Sequence, residues 1–271
     1  MTLFSSTVLA LTQLSSDTFL LTLSSTESFA RHFIPGQFVM VGIPESTRYD
    51  PLLKRPFSVC RVSPEQMELA IKVVGRGTAI LSNLSVGSRV SMHGPLGNGY
   101  PLDTIRTTEK LLLAAGGIGI ASLMSLVEFC RSHDGSLANV EIIVGAQTAS
   151  QLTFVDRLVN LAEQGLQISL VTDDGSKGEK GLVTDAIARQ LNKNSKRPTI
   201  VSCGPLPMLK AVGALAKKFS CPCYLSLESR MACGFGVCLG CVTRRKPPVK
   251  GSPWLKVCSN GPVFSADMLD L

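Results

Sequence analysis

Lys110-Leu111-Leu112-Leu113-Ala114-Ala115-Gly116-Gly117-Ile118-Gly119-Ile120 opens a stretch, Leu111 to Cys130, that is nearly free of charge. Its length would suit a membrane span. The glycines argue against that reading, because Gly116-Gly117-Ile118-Gly119 breaks the run into a strand (Lys110 to Ala115), a tight turn, and a helix (Ile120 to Arg131). The stretch therefore reads as the buried start of a soluble α/β domain, with no integral membrane association.

The same rhythm continues downstream. Val140–Ala146, Ile168–Thr172 and Thr199–Cys203 read as strands, and Phe154–Gly165, Leu182–Leu191 and Pro207–Lys218 as helices. Alternating strands and helices imply a parallel sheet covered on both faces, with a ligand crevice at the carboxyl ends of the strands. Two turns fall on that edge. Gly116, Gly117 and Gly119 let backbone approach a pyrophosphate, although the pattern is not a strict G-x-G-x-x-G and has no Walker lysine. Cys203-Gly204-Pro205 ends one strand and opens a helix. Either turn alone fits plain helix–sheet packing; together they favour a nucleotide site. Asp173-Asp174 ends a third strand there and disfavours a 2′-phosphate, which leans towards NAD, although a solvated acidic loop looks the same.

Upstream the pattern differs. Short apolar segments separated by Ser24-Ser25, Pro35-Gly36, Pro64-Glu65, Val86-Gly87-Ser88 and Gly94-Pro95 suggest a closed antiparallel barrel. Within it lie Arg55-Pro56-Phe57-Ser58 and Leu69-Ala70-Ile71-Lys72-Val73-Val74-Gly75-Arg76-Gly77-Thr78. The second piece reads as a strand, a Gly-x-Gly-Thr turn and a short helix whose first N–H groups are free for a phosphate. Arg55 could pair with the same diphosphate in a forked geometry.

Near the C-terminus, Cys233, Cys238, Cys241 and Cys258 follow the spacing C-x4-C-x2-C-x16-C. Gly234, Gly236 and Gly240 supply residues that reach positive φ at little steric cost, so the loop can wrap something compact. The spacing matches the plant-type pattern for a [2Fe-2S] cluster. The alternatives are a four-thiolate zinc site, which usually shows two separated C-x2-C pairs, and disulfides, which a cytosolic compartment disfavours. An oxidised cluster with four thiolates carries about −2 by formal counting. Arg230, Arg244, Arg245, Lys246 and Lys250 nearby suit that charge.

The 271 residues allow two ordinary domains and a small appendage, and 45% hydrophobic with 17% charged residues describe sizeable cores. A net charge of +7 without a Lys/Arg run carrying interleaved aromatics does not point to nucleic acid. The N-terminus lacks a basic n-region and cleavage site, so no signal peptide is expected. Cys60, Cys130, Cys203, Cys221 and Cys223 show no framework spacing and are expected to sit reduced in a cytoplasmic protein. His32, His93 and His133 are scattered and receive no chemistry. Trp254 is expected either in a core, the commoner outcome, or as a cover for the cluster or a partner contact.

Taken in order, Arg55-Pro56-Phe57-Ser58, Gly75-Arg76-Gly77-Thr78, Gly94-Pro95-Leu96-Gly97, Ala115-Gly116-Gly117-Ile118-Gly119-Ile120 and Cys203-Gly204-Pro205 resemble the ferredoxin-NADP reductase superfamily. With Glu228-Ser229-Arg230-Met231-x-Cys233, Cys238, Cys241 and Cys258 added, the chain is similar to the electron-transfer subunits of dihydroorotate dehydrogenase B, the PyrK family. The resemblance implies an FAD-binding β-barrel over 1–105, an NAD-binding Rossmann-like α/β domain over 106–222 and a small [2Fe-2S] domain over 223–271.

It also implies site residues. Arg55, Pro56, Phe57 and Ser58 would line the flavin, with Ser58 near its N5. Ile71, Lys72 and Val73 would pass beside it through backbone, and Gly77 and Thr78 would hold its diphosphate. Gly116, Gly117 and Gly119 would approach the NAD diphosphate, and Cys203, Gly204 and Pro205 would lie near the nicotinamide. Ser122 departs from the proline that relatives often carry.

The implied partner is a separate FMN-containing TIM-barrel catalytic subunit, in a heterotetramer of two of each. Electron counts agree: nicotinamide exchanges two electrons as hydride and the cluster takes one, so FAD fits as intermediary. Two rivals stand beside this reading: the flavin subunit of an NAD(P)H-ferredoxin oxidoreductase or sulfide dehydrogenase, and a zinc-stabilised nucleotide-binding regulator.

Overall fold

The computed structural model describes residues 2–43, 51–193, 196–248 and 251–271. Lys250 lies outside the described residues.

The short apolar segments of the first third close a six-stranded antiparallel barrel, and β6 among them shows clean alternation of buried and less buried residues. Its strands are β1 (Thr2–Ser15), β2 (Thr18–Ser24), β3 (Phe38–Val41), β4 (Arg55–Val62), β5 (Gln66–Lys72) and β6 (Arg89–Leu96), in the order β1-β2-β5-β4-β3-β6. Closure leaves no free edge, and the interior is filled by side chains such as Leu21, Val39, Leu69, Ile71 and Met92. Helix α1 (Glu27–His32) fills the gap between β2 and β3, with the Thr26 hydroxyl accepting from the Phe29 N–H as its N-cap. The short helix α2 (Arg76–Leu81) follows β5, and α3 (Leu102–Thr107) leads out of the barrel.

The charge-poor stretch is a strand, a turn and a helix: β7 (Leu111–Gly116), a single turn at Gly117–Gly119, and α4 (Ile120–Asp134). Among the described residues no helix is long and apolar enough to cross a membrane. The chain continues through β8 (Val140–Ala146), α5 (Val155–Ala162), β9 (Gln167–Thr172), β10 (Glu179–Lys180), α6 (Val183–Lys193), β11 (Thr199–Cys203), α7 (Leu206–Lys218) and β12 (Cys223–Ser226). Beyond it come β13 (Val242–Arg244), β14 (Trp254–Lys256), α8 (Val257–Asn260) and β15 (Val263–Ser265).

Seven strands form one sheet in the order β10-β9-β8-β7-β11-β12-β15. All pairs are parallel except the last, in which β15 returns antiparallel to β12. Strands buried on both faces need near-continuous apolar runs; β7 has one, and β8 and β11 are buried almost throughout with only Glu141, Thr199 and Ser202 as polar interruptions. The C-terminal segment therefore leaves the sheet at β12, makes the cysteine loop and the β13–β14 ribbon, and rejoins the sheet at β15.

Two tethers fix the barrel against this sheet. Arg157 on α5 pairs with Glu68 on β5 at 2.7 Å, with Glu68 only 8% exposed and the guanidinium also 5.3 Å from the Phe154 ring centroid. On the other side Asn98 donates its backbone N–H to Gly261 O at 2.6 Å and its side-chain amide to Ser259 O and Asn260 O. Breaking an ion pair with one partner this deeply buried strands the other charge, so the Glu68–Arg157 tether resists sliding of the two bodies.

Candidate functional site

Three stretches from distant parts of the chain come together at the barrel, two of them at β4 and β5 and the third on β3 and β6. The first is the barrel's own. Arg55, Pro56, Phe57 and Ser58 open β4 and are half-buried. Arg55 donates to Leu53 O, and its guanidinium lies over Gly77: a Cβ at position 77 would sit 2.5 Å from Arg55 Nε. Arg55 and the Gly75–Thr78 turn are therefore one surface. The Thr78 hydroxyl is used locally. It accepts from the Val74 and Gly75 N–H groups at 3.0 and 3.2 Å and donates to Gly75 O at 2.9 Å, so it shapes the turn, and what it leaves for a diphosphate is backbone. The Ile71 side chain points into the barrel core, leaving its backbone on the surface side.

The second stretch is the edge of the seven-stranded sheet. Gly116 and the Cys203–Pro205 turn are brought together: a Cβ on Gly116 would meet Pro205 Cδ at 2.8 Å and Met208 Sδ at 2.7 Å. A cavity of about 460 Å³ opens here, lined by Gly116, Gly117, Ile118, Pro205 and Met208 from the sheet edge. Asp173 from the end of β9 and Asp17, Thr18 and Lys72 from the barrel complete its polar wall. Gly119 was expected against the ligand, but it is a packing glycine. It does not line the cavity, and its missing Cβ is what lets the carbonyl of Cys203 approach. Asp173 lines the cavity as expected. Asp174 instead turns back to accept from the Ser176 N–H and hydroxyl at 2.9 and 2.6 Å.

Cys203 is 3% exposed and lies beside Ser226 in the β11–β12 register. Burial, reinforced by the neighbouring Glu228 carboxylate, pushes its thiol up to about 12. Burial likewise raises Glu228. Tyr100 completes this polar group, with its hydroxyl 2.7 Å from Ser122 Oγ. The Ser122 departure is thus matched by a partner: where a proline would carry no hydrogen bond, Ser122 satisfies a buried phenol. Sequence reasoning named none of Glu228, Tyr100 or Ser226 as site residues, because only strand register and the barrel–sheet contact bring them together.

The third stretch is the cysteine loop. Cys233 is raised by burial, but N–H groups of Cys238, Phe235 and Val237 and the Cys238 side chain more than offset this and lower its thiol to about 6. Burial, then the hydrogen bond and charge of Cys241 and the charge of Cys233, push Cys258 up to about 12, partly opposed by the Gly236 N–H. The Gly240 N–H lies 3.5 Å from Cys238 Sγ and the Cys258 N–H 3.4 Å from Cys241 Sγ. The sulfurs thus associate in two pairs, Cys233 with Cys238 and Cys241 with Cys258, linked by the effect of Cys233 on Cys258, and backbone N–H groups point at them. Among the described residues no three of these side chains are gathered closely enough to hold a metal ion as they stand. An all-sulfur donor set ringed by N–H donors fits an anionic iron–sulfur cluster. Gly234 and Gly236 adopt φ of 80° and 90° as expected, but the third left-handed residue is Leu239 (φ 58°) and not Gly240.

The loop rests on the barrel. A Cβ on Gly234 would meet Met40 Cγ at 2.6 Å and Leu96 Cδ1 at 3.3 Å, and the Phe235 ring lies edge-on to His93 at 6.5 Å. Met40 pairs with Pro56 and Phe38 with Ser58 across β3 and β4. A single strand, ~5 Å of sheet spacing, thus separates the cysteine loop's seat from the Arg55–Ser58 surface. Around the cysteines Phe235, Val237, Leu239 and Trp254 stand 42–72% exposed, so Trp254 is a surface residue and not a core one. The other five cysteines, Cys60, Cys130, Cys203, Cys221 and Cys223, are buried and outside any disulfide.

Comparison with known proteins agrees with this geometry. Residues 5–100 match an oxidoreductase FAD-binding domain, 113–214 an oxidoreductase NAD-binding domain and 228–270 the iron–sulfur cluster binding domain of dihydroorotate dehydrogenase B. The electron transfer subunit of dihydroorotate dehydrogenase B (NAD(+)) from Geobacillus kaustophilus is 39% identical over 236 residues, 86% of this chain and 85% of the relative. The corresponding subunit from Geobacillus thermodenitrificans is 38% identical over 263 residues, 96% of this chain and 95% of the relative. Among solved structures, an NADH-dependent reduced ferredoxin-NADP oxidoreductase superposes with a TM-score of 0.79 at 27% identity, covering 98% of this chain and 89% of that one. With FAD, NAD and iron–sulfur modules in this order, the chain belongs to the family of dihydroorotate dehydrogenase B electron transfer subunits, within the ferredoxin-NADP reductase superfamily.

Proposed function

We propose that this chain carries electrons between a dihydroorotate-oxidising catalytic subunit and NAD, through an iron–sulfur cluster and FAD. The observation that supports it most is the seating of the cysteine loop on β3, with the Arg55–Ser58 surface on the adjacent strand and the dinucleotide cavity at the end of β5. One-electron and two-electron sites thereby share one small barrel. The flavin, when bound, supplies the exchange between hydride and single-electron chemistry.

The chain's own residues have separable tasks. Arg55 and the backbone of Gly77 and Thr78 form the flavin diphosphate seat, while Pro56, Phe57 and Ser58 flank the ring and Ile71, Lys72 and Val73 pass beside it. Gly116 and Gly117 admit the dinucleotide diphosphate, with the Lys72 side chain as its counter-charge. Cys203, Gly204 and Pro205 shape the wall at the nicotinamide, with Glu228 and Ser226 behind them. Asp173 faces the adenosine ribose and rejects a 2′-phosphate. Cys233, Cys238, Cys241 and Cys258 hold a [2Fe-2S] cluster, and their N–H donors stabilise its negative charge. The exposed apolar rim of Phe235, Val237, Leu239 and Trp254 receives the catalytic subunit, an FMN-containing TIM barrel in a two-plus-two heterotetramer. Buried, reduced cysteines suit a cytoplasmic setting.

A ferredoxin-linked role is the second reading, favoured by the superposition with the ferredoxin-NADP oxidoreductase. Higher identity to the dihydroorotate-linked relatives and a complete set of four cysteines weigh against it.

Anaerobic NADH titration of the purified chain tests the relay. Bleaching of flavin followed by a one-electron-reduced cluster signal in electron paramagnetic resonance is expected; a colourless, flavin-free protein with stoichiometric zinc would overturn it. The flavin seat has its own test. Gly77→Ala should push Arg55 off the turn and lower FAD affinity about tenfold, equivalent to about 1.4 kcal/mol. Flavin content after gel filtration reads it directly, and full retention would remove Arg55 and Gly77 from the seat.

A further inference from the structure

Among the described residues lining the dinucleotide cavity, Lys72 is the only cation, and it shares the lining with two carboxylates, Asp17 and Asp173. Lys72 ends β5, the strand that touches the Gly117–Gly119 turn, so its ammonium is placed beside the backbone that meets a diphosphate. That ammonium is already engaged. Lys72 Nζ lies 3.1 Å from Asp17 Oδ2, with the two side chains 37% and 31% exposed. Asp17 is held rigidly for this: its Oδ1 accepts from the Thr18 and Ser15 hydroxyls at 2.8 and 3.2 Å, and its carbonyl accepts from the Val73 N–H at 2.8 Å. The β1–β2 hairpin thus presents one carboxylate oxygen to its own fold and the other to Lys72.

We propose that Asp17 is an affinity-setting residue: it competes with the dinucleotide diphosphate for the Lys72 ammonium and so keeps NAD(H) binding weak and release fast. This rests on the reading of the cavity as the NAD site. A diphosphate arriving at Gly117 must either share Lys72 with Asp17 or displace it, and in both cases a like charge stays within a few ångströms of the ligand. Like charges at that range are costly in a partly enclosed cleft. A hairpin carboxylate spent in this way opposes the ligand that the cavity otherwise fits. A relay that must return its nicotinamide after each hydride gains from it, because product release limits many such enzymes.

The sign of a substitution decides the matter. In the full chain with FAD bound, Asp17→Asn keeps the Oδ1 acceptor for Ser15 and Thr18 and replaces the charged oxygen facing Lys72 with an uncharged NH2 donor, which releases the ammonium to the ligand. NADH is expected to bind about 5–10-fold tighter, with slower release, and ADP-ribose, which carries the diphosphate without nicotinamide, should show the same gain. Lys72→Met should weaken both about tenfold, and in Asp17→Asn/Lys72→Met the gain should vanish. Melting temperature and flavin content serve as folding controls, and Asp17→Ser is the second variant should the first misfold. Unchanged or weaker NADH binding in a folded Asp17 variant overturns the inference, as does a gain with NADH that ADP-ribose does not share. Failure of the wild-type chain to bind NADH at all would instead overturn the NAD assignment of the cavity.

Discussion

Replacing Cys238 with serine is expected to stop electron flow to or from the partner subunit, by at least about a thousandfold in partner-linked turnover, while leaving the flavin half of the chain working. Cys238 is the exposed member of the four, and its N–H and thiol support Cys233. Serine offers a harder, far less acidic donor than thiolate, so iron is lost or held in an altered cluster. None of the four cysteines lines the dinucleotide cavity, and the cysteine loop seats on β3, one strand over from the Arg55–Ser58 stretch of β4. NADH oxidation by an artificial two-electron acceptor should therefore stay within about twofold of the wild type. Iron and sulfide content, visible absorbance and the two activities measured side by side check this. Loss of both activities in a folded, flavin-loaded protein would mean that the cluster and flavin sites are not separable.

Gly119→Ala should produce the second large effect. A Cβ at this position would overlap the carbonyl group of Cys203 and crowd the Gly204 N–H, all of it backbone. No side chain can turn aside to make room, so either the Gly117–Gly119 turn or the start of α7 must shift. Overpacking of this kind costs about 1–3 kcal/mol or more. The shift falls on the junction that shapes the cavity, so NADH affinity should drop at least about tenfold along with a lower melting temperature. Flavin content should hold, since the barrel is a separately closed unit. Thermal melts and NADH titration of the same preparation read both consequences; an unchanged affinity would detach Gly119 from the NAD site.

Much of this molecule is local in sequence, and those parts were legible. Glycines at 116, 117 and 119 dictated a strand, turn and helix in place of a membrane span, and the short alternating strands before residue 105 closed as a barrel. The four-cysteine spacing pointed to an iron–sulfur module, which residues 228–270 match, because three of the cysteines lie within one tight loop. Other features escaped because they are made by register or by domain contact. Leu239, not Gly240, takes the left-handed position because the turn needs it one residue earlier, where Gly240 instead aims its N–H at Cys238. Cys203 meets Ser226 only because β11 and β12 pair in parallel, and Tyr100 reaches Ser122 only once the barrel is docked on α4. The Asp17–Lys72 pair joins residues 55 apart through the β2–β5 pairing of Thr18 with Lys72. No spacing rule predicts such a pair, since either residue alone reads as solvated surface.

The chain joins dihydroorotate oxidation to NAD. Purifying it from its source together with whatever binds it, then mixing the complex anaerobically with dihydroorotate and NAD+, tests this most directly. A co-purifying FMN protein is expected, with NADH formation, followed by its absorbance, that disappears in Cys238→Ser. A partner without FMN, with no NADH formed from dihydroorotate, would contradict it.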